Sequence, residues 1–203
     1  MPHKNLILGI TGSIASGKSI IAAAFVQKGA ALVDADQLAR DVVAPGSPVL
    51  KQLVERFGER VLLSDGQLNR EYLSQIVFSD AEALQDLNRI MHPAIGQLAI
   101  ERLQQLRVKP GLPLVVYEAP LLFEANSEGR VDKVLVVKID EDIQLQRLMQ
   151  RDGLNETAAK QRIDAQMAQE EKLARADFVI DNSGTVHEAL QQVEVLWERL
   201  CSG

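Results

Sequence analysis

The sequence is short of several things, and each shortage narrows the possibilities. It holds one cysteine, Cys201, in 203 residues. A lone thiol closes no internal disulfide, so a reducing compartment is expected. There is no excess of positive charge: 22 Lys and Arg against 28 Asp and Glu leave a net charge of −6. A dedicated nucleic-acid binder is usually basic, so that class is disfavoured, while a local basic pocket is not. No apolar run approaches the roughly 18 residues that a membrane span needs. The first ten residues, MPHKNLILGI, have too short an apolar run and no cleavage region for a secretory leader. No internal repeat or low-complexity tract is present. What remains is 46% hydrophobic and 25% charged, ordinary for a soluble protein with a real core. The expectation is a cytoplasmic protein, one globular unit with an inserted subdomain.

Short apolar runs recur along the chain. Leu6 to Ile10, AALVDAD, LPLVVYEAP, VDKVLVVKI and ADFVID read as five strands. Helical spacing marks Lys18 to Gln27, with Ile21, Ala24 and Phe25 on one face and a stop at Gly29. It also marks Ile143 to Arg151, Glu156 to Gln169, and Val186 to Leu200. Nearly all-apolar strands alternating with helices indicate an α/β fold, a parallel sheet covered on both faces. Between the second and third strands lies a long interval without a clear strand. Helical patterns occupy it at Pro48 to Phe57, Arg70 to Phe78 and Ala81 to Leu106, which makes it a helical insertion. Inside the last of these, Pro93 biases His92 toward extended geometry, so a helix break is expected there. KPGLP, residues 109 to 113, is a turn-rich return to the sheet.

The densest motif is Gly12-Ser13-Ile14-Ala15-Ser16-Gly17-Lys18-Ser19. It fits G-x-x-x-x-G-K-[ST] at every defined position, after a predicted strand and before a predicted helix. With glycine usage of about 7%, such a match arises by chance in roughly one chain of this length per hundred. In such a loop, backbone N–H groups converge on phosphate oxygens and the helix N-terminus adds a favourable dipole. Lys18 reaches the terminal phosphates, and the Ser19 hydroxyl is a ligand for Mg²⁺. The loop specifies a nucleoside triphosphate and leaves open whether the protein is a kinase, a switch or a motor.

The second strand ends in Asp34 and Asp36. Ligands of open parallel sheets bind at the carboxyl ends of strands. At most one of the two acids is expected to face the γ-phosphate directly. Such a carboxylate can take a proton from a substrate hydroxyl, or bind Mg²⁺ through water. The alternative for Asp36 is an N-cap before Gln37 to Val43. Arg40, four residues on, shares the face of Asp36 and either pairs with it or faces a substrate phosphate. Glu118, near the end of the third strand, is either a Mg²⁺-positioning acid or a structural partner.

Together with later stretches, these residues resemble the dephospho-CoA kinase family. The stretches are GITGSIASGKS, VDADQLARDVV, LNREYLSQIVF, LNRIMHPAI, YEAPLLFE, QLQRLMQRDG and EEKLARADFVIDNSGT, in family order over about residues 7 to 185. The resemblance implies a P-loop kinase fold: a three-layer α/β/α unit with a five-stranded parallel sheet, a helical CoA-binding insertion and a mobile lid. On this sequence the core is 1–40, 112–147 and 172–203, the insertion 41–111 and the lid 148–171. It implies transfer of the ATP γ-phosphoryl group to the ribose 3′-hydroxyl of dephospho-CoA, the last step of CoA synthesis, with Mg²⁺. Asp36 matches the family's proposed general base, and Arg70, His92 and Pro93 are the best-matching positions of the CoA-binding part. The sequence departs from the family at Ile20, where most members have Thr, and at Ser13 and Ala15, which replace frequent glycines. Any of these loop positions that needs a positive φ is therefore a point of strain.

The remaining candidates follow from phosphoryl transfer, which needs positive charge delivered by a segment that closes and excludes water. Arg147 and Arg151, four apart on one helix face, are placed at the ATP phosphates, the alternative being a solvated charged face; Arg162 and Lys172 are weaker candidates. The loop residues Gly12 to Ile20 and Asn182, after the last strand, complete the expected ATP site. A tight turn is the alternative for Asn182. Arg40, Arg70, His92 and Leu122 join Asp36 as expected acceptor contacts; Leu121, Leu122 and Phe123 read as packing, with Leu122 placed along the pantetheine arm. For His92 the alternative is a buried structural role; as a lone histidine it is no metal site. Trp197 reads as core packing. From the residues alone, a nucleoside or nucleotide kinase and a nucleotide-dependent switch remain rivals. The absence of an N-K-x-D base-reading motif weighs against the switch.

Overall fold

The computed structural model describes residues 4–201; residues 1–3 and 202–203, counted in the expected core, lie outside them. Five strands form: β1 (Ile7–Gly12), β2 (Ala31–Asp34), β3 (Val115–Glu118), β4 (Lys133–Lys138) and β5 (Phe178–Asp181). The helices are α1 (Lys18–Gln27), α2 (Ala35–Asp41), α3 (Pro48–Phe57), α4 (Arg70–Ser79), α5 (Ala81–Arg107), α6 (Glu141–Asp152), α7 (Glu156–Asp164), α8 (Gln169–Ala174) and α9 (Val186–Cys201). The chain divides into two compact units, one of residues up to Asp34 and from Leu103 onward, the other Ala35–Arg102.

The first unit carries the sheet. Its strands pair in parallel in the order β2-β3-β1-β4-β5. The central strands β1 and β3 are buried throughout, which is why their sequences are continuous apolar runs rather than alternating ones. Register aligns Ile10 with Glu118, and Gly12 with Val137. β1 therefore ends, between β3 and β4, directly into the phosphate loop, where an open sheet forms its crevice. Behind the loop, Ile21, Ala22 and Phe25 of α1 and Ala189, Val193 and Leu196 of α9 join Leu8, Ile10, Val116, Leu135 and Val137 in one core. Trp197 packs against that core, its ring centroid 6.2 Å from that of Phe25.

The second unit is helical. Its core is Val43, Leu50, Leu53, Val61, Leu68, Leu73, Val77 and Ala83. Helix starts are where capping chemistry puts them. The Ser47 hydroxyl accepts from the Leu50 N–H at 3.1 Å with Pro48 next in line, and Asn69 Oδ1 accepts from the Tyr72 N–H at 3.0 Å. Across Ala81–Arg102 the compact unit follows the helical pattern read from the sequence.

Three local expectations fail. The break at His92–Pro93 does not occur: α5 runs through both residues. Proline removes one helical hydrogen bond at a cost of about 3 kcal/mol. Ala83 towards the start and Ala99 and Leu103 towards the end are buried, so packing holds the helix on both sides of the proline. Asp34 and Asp36 do not share an extended segment. Asp34 closes β2, but α2 begins at Ala35 and Asp36 lies in its first turn, where a carboxylate suits the helix dipole. It is therefore not an N-cap either. Finally, the helix expected over Glu156 to Gln169 is two helices, α7 and α8. Between them, the Met167 N–H donates to Glu124 Oε1 at 3.3 Å, a bond unavailable to a residue inside a helix.

Candidate active site

The loop Gly12–Ser19 is fixed from several directions. The Lys18 ammonium, at the first position of α1 and 9% exposed, donates to the carbonyls of Gly12 and Ser13 at 3.0 and 2.9 Å. Gly17 caps α1 with φ 87°. A Cβ there would collide with the Asn182 amide, so both backbone angle and space require glycine. Asn182, 1% exposed, donates from Nδ2 to the Ser16 carbonyl at 2.7 Å. The Ser19 hydroxyl donates to Glu118 Oε1 at 2.7 Å, bringing the loop's end to the carboxyl end of β3. Of the two replaced glycines, Ser13 keeps a negative φ while Ala15 sits at φ 61°; the strain lies at Ala15. Ile20 is 45% exposed, and its apolar side chain forms no bond to the loop.

A cavity of about 410 Å³ opens beside this loop, lined by Ala15, Gly17, Lys18, Ser19, Ile20, Arg147, Arg151, Asn182 and Val186. Arg147 and Arg151 are thus brought to the loop by α6. The Arg151 guanidinium also donates to Asp152 from Nε at 2.8 Å, and Arg162 reaches the same carboxylate at 2.8 Å. The bond to Asp152 raises Arg151 above its ordinary range, and the two guanidiniums, Arg151 foremost, hold Asp152 below its own. At the end of β5, burial pushes Asp181 up. Hydrogen bonds from the Lys138 ammonium and from Ser183 outweigh it and hold the carboxyl at about 2.

Several expected residues fall elsewhere. Lys172 is fully buried, its ammonium 2.7 Å from Glu124, and so is no cation for a closing lid. Leu122, expected against the pantetheine arm, is fully buried, whereas its neighbour Leu121 is 49% exposed. Packing, not a substrate surface, is what Leu122 offers. In the helical unit Arg40 and Arg70 line a cavity of about 320 Å³ with Gln37, Asp41, Val43 and Leu68. No described residue forms a salt bridge with either guanidinium. Asp36, in α2, is exposed; His92, in α5, is exposed too and not the buried structural histidine of the alternative reading.

Two residues of the site that carry no signal in the sequence are glutamines. The Gln144 amide, 3% exposed, donates to the Ile14 carbonyl at 2.9 Å, and Gln166 Oε1 accepts from the Ile14 N–H at 2.7 Å. Both contacts join positions more than a hundred residues apart, and an uncharged side chain in a polar helix leaves no pattern to find. Glu118 is visible as an acid at a strand end and Ser19 as the end of the loop motif, but the bond between them is not. The site's donor set accommodates a hard divalent cation: a hydroxyl and a carboxylate oxygen adjoin at Ser19 and Glu118. Among the described residues no cluster of three carboxylates, histidines or cysteines could hold a metal alone.

Comparison with known proteins bears on the whole chain. The family model described as CoaE, dephospho-CoA kinase, matches residues 6–188. A dephospho-CoA kinase of Syntrophotalea carbinolica is 53% identical over 98% of this chain and 93% of its own length. Another, of Geobacter sulfurreducens, is 47% identical over 95% and 98%. Among solved structures, the dephospho-CoA kinase of Campylobacter jejuni superposes with a TM-score of 0.72 at 30% identity, covering 98% of this chain and 99% of that one.

Proposed function

The chain belongs to the dephospho-CoA kinase family, and from that premise we propose how its residues divide the work. The reaction is ATP-dependent phosphorylation of the ribose 3′-hydroxyl of dephospho-CoA to give CoA and ADP, the final step of CoA synthesis. In it the 3′-oxygen bonds to the γ-phosphorus, the bond from that phosphorus to the β–γ bridging oxygen breaks, and the hydroxyl proton leaves.

The nucleotide half of the assignment rests on one observation: Lys18, Ser19, Arg147 and Asn182 share a cavity with the loop backbone. Backbone N–H groups of the loop and the Lys18 ammonium hold the β- and γ-phosphates. Arg147 and Arg151 supply positive charge where the phosphoryl group transfers. Arg151 does so while anchored by Asp152, which fixes its plane. Ser19, with Glu118 beside it, would hold Mg²⁺; the ion's contribution when bound is to neutralise charge on the phosphate oxygens.

For the acceptor, Asp36 takes the proton from the 3′-hydroxyl, or orients that hydroxyl for in-line attack. Arg40 and Arg70, lining one cavity without salt-bridge partners among the described residues, bind the acceptor's anionic diphosphate. Two planar guanidiniums suit phosphate oxygens through bidentate hydrogen bonds. His92 contributes from an exposed position on α5.

The test is an acceptor panel with ATP and MgCl₂. One CoA formed per ADP is expected with dephospho-CoA. ADP formed with a nucleoside acceptor and not with dephospho-CoA would overturn the assignment.

A further inference from the structure

Ala15 is one of two non-glycine residues at positive φ among the described residues, the other being Asn126. A left-handed conformation costs a residue with a Cβ roughly 1–2 kcal/mol, and such strain persists only where surroundings hold it. Two side chains grip the residue before it. Gln166, from the segment between α7 and α8, takes the Ile14 N–H, and Gln144 of α6 gives an amide hydrogen to the Ile14 carbonyl. Gln144 is buried and its bond spans 130 residues of sequence. The Ile14 carbonyl and the Ala15 N–H belong to one trans peptide unit, so they point in opposite directions. Fixing the carbonyl on α6 therefore fixes the N–H as well. That N–H meets no acceptor among the described residues, and Ala15 lines the 410 Å³ cavity together with Lys18 and Ser19.

We propose that Gln144 is a positioning residue for nucleotide binding: it holds the Ile14–Ala15 peptide in the strained orientation that presents the Ala15 N–H to a phosphate oxygen of ATP. The same helix supplies Arg147 one turn on, so α6 sets both the loop's backbone and a side-chain cation at one cavity. Without the clamp, the peptide rotates, Ala15 relaxes to negative φ, and one donor to the triphosphate is lost. A glycine at this position has no such strain to relieve, and there the clamp is dispensable. The assignment rests on reading Gly12–Ser19 as the triphosphate loop.

The experiment is ATP binding by calorimetry, in the full-length chain, for Gln144→Leu and Gln144→Met in the native background and in an Ala15→Gly background. Methionine nearly matches glutamine in volume and cannot donate, which keeps a folded variant in hand. The expected result is a rise in the dissociation constant of about tenfold in the native background, the scale of one lost hydrogen bond to phosphate. In the Ala15→Gly background the same substitutions raise it by about twofold or less. No change in the native background, or an equal loss in both, overturns the proposal, since an equal loss is what mere packing predicts. If the unsubstituted chain binds no ATP, the failure lies in the loop reading itself.

Discussion

Around the phosphate loop, the innermost groups of the ATP side are themselves held, while Ser19 and Arg151 are exposed. Lys18, Gln144 and Asn182 are at most 9% exposed, and each is bonded to loop backbone. In residues 35–102 the groups assigned to the acceptor, Asp36, Arg40, Arg70 and His92, are all exposed. The difference is physical. Stabilising a triphosphate in transfer needs donors whose dipoles are fixed beforehand, because reorienting them during the reaction costs free energy. Buried side chains bonded to backbone provide that. An acceptor carried by arginines on helix surfaces is bound by groups that order only on contact, at about 0.5–1.5 kcal/mol for each immobilised side chain. Substitutions on the two sides should therefore fail differently.

The largest effect is expected at Lys18. K18A removes a buried ammonium from the loop, and kcat/KM should fall by about 10³ or more, with ATP affinity falling alongside. Steady-state kinetics with calorimetry would check this, and normal kinetics would contradict the loop assignment. Next come R40A and R70A. Each should raise the KM for dephospho-CoA about tenfold, the scale of a charge-assisted hydrogen bond to phosphate, and leave ATP affinity unchanged. A change confined to ATP would erase the contrast between the two sides.

The smallest effect concerns acid. The Asp181 carboxyl is depressed to about 2 from an ordinary 3.8. Its bonds to Lys138 and Ser183 stabilise the fold fully above that ordinary value. The contribution is lost as pH falls through the folded value. Comparing melting temperatures of the parent and D181N from pH 6 to pH 2 should show the parent's advantage shrinking below about pH 4. The effect will be modest, since both partners are partly exposed. An advantage that grew on acidification would refute the assignment.

Much of this molecule is legible as sequence. Continuous apolar strands in β1, β3 and β4 declare a parallel sheet. Gly12–Ser19 declares a phosphate loop because backbone geometry restricts which residues can form it. Helical spacing places α1 and α3 at their observed ends, with Gly29 stopping the first. Illegible are features decided by packing across long chain separations. Pro93 sits in a helix because Ala83, Ala99 and Leu103 are buried on either side of it. Asp36 reads as the end of a strand or as an N-cap because nothing in VDADQLAR starts the helix as early as Ala35, where it begins. Gln144 and Gln166 are ordinary polar residues until the fold brings them to Ile14. Lys172 reads as a mobile surface cation, and its partner Glu124 lies far back along the chain, in a segment that reads as packing.

The division of labour stands most directly on Asp36, the one acid assigned to the proton of the acceptor hydroxyl. The measurement is turnover of D36N with saturating ATP and dephospho-CoA, beside its dissociation constant for ATP. Turnover should be lower by about 10²–10³ with ATP affinity unchanged. Turnover equal to that of the parent would contradict the assignment, and so would a loss explained entirely by weaker ATP binding.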